Sequence, residues 1–371
     1  MKIPAVNLKA QFEPLRSELL AAIERIIDTQ QFVLGSEVQA LEDEVAAYSQ
    51  AQYAIGCASG SDALLLALMA LDVKAGDEII TTPFTFFATG GAVARLGARP
   101  VFVDIAAPGY NIDAGRIEAT ITSRTRGVIA VHMYGQCADM DPLIEIAARN
   151  QLPLIEDAAQ AIGAEDRGRR AGSMGLMGCF SFYPTKNLGA AGDAGMLITN
   201  DDRMAGRLRA LRVHGGITEY LHAEVGFNSR MDALQAAVLR VKLPHLDDWS
   251  NARLERANRY TQLLAGANLP YELVPPFIRP DGRHIFHQYV VRAPRHRDAL
   301  MAHLGQRGVG TRIYYPVPLH LQECFRYLGY QEGDFPEAES AANETFALPV
   351  YPEITDEEQE YVVDSLRSFR I

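Results

Sequence analysis

The chain has 371 residues, 48% hydrophobic and 22% charged, an ordinary globular composition with length enough for a large core and two domains. Its formal charge of −11 argues against a general nucleic-acid or anionic-membrane surface, but not against a small anion held by helix-start N–H groups. MKIPAVNLKAQFEPL has no apolar signal core and no stretch is long and apolar enough to span a bilayer, so the expected location is cytoplasmic. Cys57, Cys137, Cys179 and Cys324 lack metal-ligand spacing and read as reduced thiols in apolar surroundings, so no metal is expected.

Residues 11–49 are helical in pattern, broken at QQFVLG, where Gly35 ends one segment and Ser36 caps the next. After Gln52 the pattern changes. The β-rich runs YAIGCA, DEIITTP, ARPVFVDI, RGVIAVHMYG, QLPLIEDA, MGCFSFYP and AGMLITN follow one another, with helical segments between several of them. This predicts an α/β domain over residues 1–245 with a mostly parallel, buried central sheet. A long helical pattern begins at Met231, and Pro244 should kink or split it. Beyond it, HQYVVRAP and GTRIYYPVP read as strands. HRDALMAHLGQ and TDEEQEYVVDSLRSF read as helices. These elements predict a smaller α+β domain over residues 246–371.

Four stretches carry residues suited to chemistry. In CFSFYPTKNLG a strand-like run breaks at Pro184 and sets Lys186 among turn formers. A partly desolvated lysine there has a lowered pKa and a nucleophilic amine; a snorkelling surface lysine is the plainer reading. In CASGSDALL a strand ends in a small-residue turn before a strong helix. That geometry suits phosphate, or simple capping by Ser59 or Ser61. In PLIEDAAQ an apolar strand runs into Asp157, where parallel sheets place ligands, or where an aspartate merely caps a turn. In TPFTFFAT one of three aromatics could stack on a flat ligand, and core packing is the alternative. GFNSRMD is a polar turn whose simplest reading is a cap at Ser229. Pyridoxal phosphate needs a lysine, a carboxylate for its pyridine nitrogen, a phosphate cup and a stacking ring, and so would use these pieces together.

ASGSDALLLAL, FTFFAT, VHMYGQCADMDPL, IEDAAQAIGA, SFYPTKNLGAAGDAGML, RVHGG and GFNSRMDALQAAVL, in this order, resemble the DegT/DnrJ/EryC1/StrS family of sugar aminotransferases. The resemblance implies a fold-type-I, pyridoxal-phosphate-dependent α/β transferase acting on nucleotide-linked keto-sugars. It implies that Lys186 bonds the cofactor covalently and carries a proton. Asp157 would pair with the pyridine nitrogen, Gln160 would lie near the phenolic oxygen and Phe86 would stack on the ring. Gly60, Ser61 and Ser181 would hold the phosphate. Asn228 would reach the cofactor phosphate of the neighbouring subunit, making the site dimeric. Tyr183, Tyr315 and His320 would line the sugar pocket. L-glutamate would donate the amine and leave as 2-oxoglutarate. The family resemblance favours amination at C3 of a dTDP-3-keto-6-deoxyhexose or a UDP-linked 3-keto sugar. The alternatives are C4 amination of a 4-keto-6-deoxysugar, or a cofactor-bound regulator.

Overall fold

A computed structural model describes residues 1–370. The N-terminal segment forms α1 (Leu8–Phe12), α2 (Arg16–Thr29) and α3 (Ser36–Tyr48). Helix α2 stops at Thr29, where Gln30 turns left-handed at φ 57° and returns its N–H to Ile26. Gly35, at φ 84°, is the N-cap residue of α3, and Ser36 is the first helical residue rather than the expected cap. The positive φ suits glycine, which lacks a Cβ, better than serine.

The α/β body follows as β1 (Tyr53–Cys57), α4 (Gly60–Ala70), β2 (Glu78–Thr81), α5 (Phe87–Arg95), β3 (Arg99–Phe102) and β4 (Thr125–Val131). Next come α6 (Met140–Arg149), β5 (Leu154–Asp157), the short hairpin β6 (Glu165–Asp166) and β7 (Arg169–Arg170), then β8 (Met177–Ser181) and β9 (Gly195–Thr199). The seven-stranded sheet has the order β1-β9-β8-β5-β4-β2-β3. Strands β8, β5, β4, β2 and β3 are parallel, and β9 runs antiparallel between β8 and β1. Every residue of β2, β5 and β9 is buried, which explains their continuous apolar reading. One buried cluster joins Leu64, Leu66 and Leu68 of α4 to Ile55, Ile79, Ile129 and Ile155 of the sheet. A second joins Leu41 and Val45 of α3 to Phe180, Met196 and Leu239.

After α7 (Asp202–Leu211) comes an exposed hairpin, β10 (Gly216–Thr218) and β11 (Leu221–His222). Then α8 (Ala233–Lys242) passes through a 3₁₀ turn at Leu243–His245, which contains Pro244, into α9 (Leu246–Ala265). The long helical pattern is therefore split at Pro244, as expected. Lys242 at the end of α8 is fully buried. Its Nζ donates to Gly189 O at 2.5 Å and lies 4.3 Å from the Phe12 ring centroid and 5.9 Å from that of Trp249.

The C-terminal part comprises β12 (Gly282–Arg283), β13 (Tyr289–Arg292), α10 (Arg297–Gln306), α11 (Pro336–Glu344), β14 (Thr345–Leu348) and α12 (Asp356–Arg367). Its core of Tyr260, Tyr289, Val291, Leu300, Phe346, Val362 and Leu366 also takes in Ile3. Helix α9 spans two cores, with Leu246 in the large-sheet cluster and Ala257, Tyr260 and Leu264 in this one. GTRIYYPVP does not form the expected strand; Arg312 makes a single bridge to Ala347. Pro316 and Pro318 lack the N–H groups that a continuing ladder needs. Cys57, Cys137 and Cys179 are buried as expected, whereas Cys324 is exposed. Among the described residues no helix is long and apolar enough to cross a membrane.

Candidate active site

The sheet order brings the chemical residues to one edge. Cys57 at the end of β1 pairs with Gly195, and Gly195 pairs with Ser181 at the end of β8. Asp157, at the end of β5, pairs with Cys179 of β8. The turn into α4, Ser181 and Asp157 therefore share the carboxyl edge of the parallel strands. A cavity of about 540 Å³ opens there, and Gly60, Ser61, Phe86, Asp157, Gln160 and Lys186 are among its walls.

The turn into α4 lies flat on the strand ends. A Cβ on Gly60 would stand 2.6 Å from Ser181 Cβ, and one on Gly195 would stand 2.3 Å from the Ser59 carbonyl oxygen. Ser59 is the N-cap, its Oγ accepting from Asp62 N at 3.1 Å. Ser61 is therefore exposed at the helix start with a hydroxyl not used as the cap. Ser229 does not cap α8. It donates to Asp62 Oδ2 at 2.7 Å and accepts from Ala58 N at 3.2 Å, fastening the turn from behind.

Glu156 and Asp157 are successive strand residues and face opposite ways. Glu156 is saturated. It accepts N–H groups of Gly172, Met174 and Gly175 at 2.5–2.7 Å and His132 Nε2 at 2.8 Å. Asp157 faces the cavity and is almost completely buried. Thr89 Oγ1 donates to Asp157 Oδ2 at 2.7 Å, Thr85 lies 2.9 Å behind Thr89, and Ala159 N reaches Asp157 Oδ1 at 3.3 Å. Burial raises the pKa of Asp157 above the usual carboxylate value, and these donors together with Lys186 only partly offset it. A cationic partner in the cavity would complete its environment.

Lys186 sits in a turn closed by its own N–H to Tyr183 O at 2.8 Å and by Ala190 N to Phe182 O at 2.8 Å. Burial lowers its amine to about 8, against the opposing pull of Asp157. Lys242 is likewise lowered to about 8 by burial. Unfolded, both amines would titrate near 10.5. Between about pH 8 and 10.5 the unfolded chain therefore binds more protons, so stability rises with pH and is lost as pH falls through that window. Each shift is worth on the order of 3 kcal/mol. Tyr134 and Tyr315, whose hydroxyl pKa values burial raises, work the other way above about pH 10. Cofactor-free protein should thus gain urea resistance from about pH 8 to 9.5, and Lys242→Met should remove about half of the gain. A flat or falling trend would contradict uncompensated burial of these amines.

Phe86 is 53% exposed on the cavity wall, its ring 5.7 Å from that of Tyr315. Gln160 is held on both ends. Its Oε1 accepts from Tyr134 N at 2.8 Å and its Nε2 donates to Tyr315 OH at 3.0 Å. Tyr183 and Tyr315 are among the residues lining the cavity. His320 is not. It is buried against Phe335 and bonded to Glu339 at 3.0 Å, because the chain turns at Pro316–Pro318 and Leu319 N ties to Pro83 O. Asn228 is exposed and stands outside its own chain's cavity. Thr85, Thr89, Ser229, Arg253, His287 and Arg312 are site residues that the sequence reading missed.

The donor set fits pyridoxal phosphate. A buried carboxylate is only partly compensated by its neighbours, a helix start without a Cβ at Gly60 offers N–H groups and hydroxyls, and an amine of lowered pKa shares the cavity. Comparison with known proteins agrees. A "Pleiotropic regulatory protein" of Geobacillus stearothermophilus is 50% identical over 100% of this chain and 99% of its own. A UDP-N-acetyl-3-dehydro-α-D-glucosamine 3-aminotransferase of Acidithiobacillus ferrooxidans is 44% identical, over 96% of this chain and 95% of its own. The crystal structure of S. venezuelae DesV superimposes with a TM-score of 0.95 at 43% identity, covering 99% of this chain and 98% of that one. Another relative, 32% identical, was solved with pyridoxamine phosphate bound. Residues 14–367 match the profile of the DegT/DnrJ/EryC1/StrS aminotransferase family, so this chain belongs to that family and uses pyridoxal phosphate.

Proposed function

We propose that the protein transfers an amino group from L-glutamate to C3 of a nucleotide-linked 3-keto sugar, for amino-sugar biosynthesis in the cytoplasm. The observation that carries this reading is the pairing, in one cavity, of the Lys186 amine with the buried, only partly compensated Asp157 carboxylate. The 3-aminotransferase relative supports C3 over C4. Bound pyridoxal phosphate supplies an electron sink for the negative charge that develops at the amino-bearing carbon. Ser61, Ser181 and the α4 N–H groups would hold its phosphate, and Phe86 would pack against it. Asp157, its carboxylate fixed by Thr89 and Ala159, would keep a proton on the cofactor's pyridine nitrogen. Lys186 Nζ takes the proton from the donor's α-carbon and later returns one to the sugar carbon. An amine near pH 8 is neutral often enough to accept that proton and basic enough to hold it. Tyr183 and Tyr315, on the cavity wall, would contact the sugar. A panel of dTDP- and UDP-linked 3- and 4-keto sugars with glutamate, read by mass spectrometry, tests the proposal. Amination of a 4-keto sugar alone would move the assignment to C4. The name of the 50% identical relative supports a second reading, a regulator that binds the cofactor, and complete inertness across the panel would favour it.

The same proposal includes a homodimer with shared sites and a division of each subunit near residue 245. Asn228 is exposed and outside its own cavity, as a residue serving a partner's phosphate would be. Losing a charge-assisted bond there should cost about 1.5–3 kcal/mol of cofactor affinity. Mixing the impaired variants Asn228→Ala and Lys186→Ala should therefore restore activity in hybrid dimers, where one site has both native residues. Exchange verified by tagged-subunit pull-down without recovery would assign Asn228 to its own subunit or to no site.

A further inference from the structure

Next to the reactive lysine, Asn187 is buried and held by two bonds. Its Nδ2 donates to Ile285 O at 3.0 Å, which leaves Oδ1 to face His287 Nδ1 at 3.2 Å. An amide oxygen can only accept, so Nδ1 of His287 carries the hydrogen. A neutral imidazole has one N–H, so Nε2 then presents a bare lone pair. The ring is neutral, because burial and the nearby Lys186 and Arg253 cations push its pKa well below the ordinary histidine value. His287 lines the cavity with Lys186, Gln288 and Arg253, and among the described residues its Nε2 has no hydrogen-bond partner.

An acceptor this weakly basic takes a hydrogen bond without taking the proton, so it is not a proton carrier at working pH. It also discriminates between the two substrates. Beside its reacting carbon an amino-acid donor such as glutamate offers a carboxylate, whose oxygens only accept and would oppose the lone pair. A sugar offers hydroxyl groups next to its ketone, and these donate. We infer that His287 Nε2 accepts a hydrogen bond from a sugar hydroxyl beside the carbon that receives the amine. This makes His287 a specificity residue for the sugar half of the reaction, and it rests on the aminotransferase reading above. A site built around such a bond rejects sugars lacking the hydroxyl more strongly than a merely apolar wall would.

The test separates the two half-reactions of the holoenzyme, glutamate with one form and keto-sugar nucleotide with the other, each followed by absorbance. His287→Phe should lower kcat/KM for the sugar half about 10- to 100-fold and leave the glutamate half within about twofold. His287→Gln, which keeps an acceptor, should recover most of the loss. Equal loss in both halves, or no loss in the sugar half, overturns the inference. In wild-type protein with ¹⁵N-labelled histidine, His287 should show a protonated Nδ1 and a lone-pair Nε2 that do not titrate between about pH 5.5 and 9. The opposite tautomer, or titration near the ordinary histidine value, also overturns it. A wild-type enzyme idle with every keto-sugar sinks the underlying reading; an active wild type with an unaffected His287→Phe sinks only this contact.

Discussion

Lys186→Ala should leave a folded protein that still takes up pyridoxal phosphate but turns over at least about a thousandfold more slowly, having lost both a covalent partner and a proton carrier. The turn holding this residue is closed by backbone bonds, Lys186 N to Tyr183 O and Ala190 N to Phe182 O, so alanine removes the amine without undoing the loop. Lys242 cannot substitute, since its ammonium is committed to Gly189 O beneath the loop. The measurement pairs steady-state turnover with borohydride reduction and peptide mapping. Wild-type protein should carry the cofactor's mass on the peptide holding Lys186, and the variant should carry none. Turnover within tenfold of wild type would remove Lys186 from the chemistry.

Asp157→Asn should slow the chemical step by at least about a hundredfold, the scale seen when an electrostatic partner is lost from a water-poor site. The substitution keeps shape and polarity. The Thr89 hydroxyl can rotate to accept from an amide as readily as it donates to Oδ2, so the fold should survive. What disappears is the charge. A neutral amide gives the pyridine nitrogen no reason to keep its proton, and the sink weakens. Single-turnover absorbance with glutamate reads this directly. An unchanged rate would reduce Asp157 to the cap of the turn at Ala159.

The legible parts of this chain were those in which local pattern and tertiary role coincide. All seven strands of the main sheet follow from β-rich runs, most of them continuously apolar because strands inside a covered sheet are buried on both faces. Lys186 and Asp157 stood out because a charge at the end of such a run needs a reason. Strand β14 did not stand out: TFAL is short and follows α11 without turn residues between them. GTRIYYPVP misled because its aromatic and β-branched residues suit a strand while its prolines forbid the ladder. His320 carried the expected motif but fell on the far side of that proline turn. Other site residues depend on distant partners. Thr89 meets Asp157 across 68 residues, and His287 meets Asn187 across 100. A threonine one helical turn from another, or a histidine inside an apolar strand approach, has no local feature announcing such a partner.

The β10–β11 hairpin exposes Ile217, Leu221 and, at 87%, Tyr220, and Val225 beyond it is 89% exposed, just before the turn that holds Asn228. Apolar tips this open are unusual on a surface that stays in water. They are also good substrates for a protease that cuts after aromatic and leucine residues. In the homodimer proposed above the second copy would cover this strip, which a solitary subunit displays. Chymotrypsin should nick at Tyr220 or Leu221, faster as the protein is diluted below its assembly range and slower at high concentration. A nicking rate per molecule that is independent of concentration would mean the strip stays bare. Cleavage there would fall on the segment leading to Asn228 and so, on the shared-site proposal above, would impair completion of the partner's site.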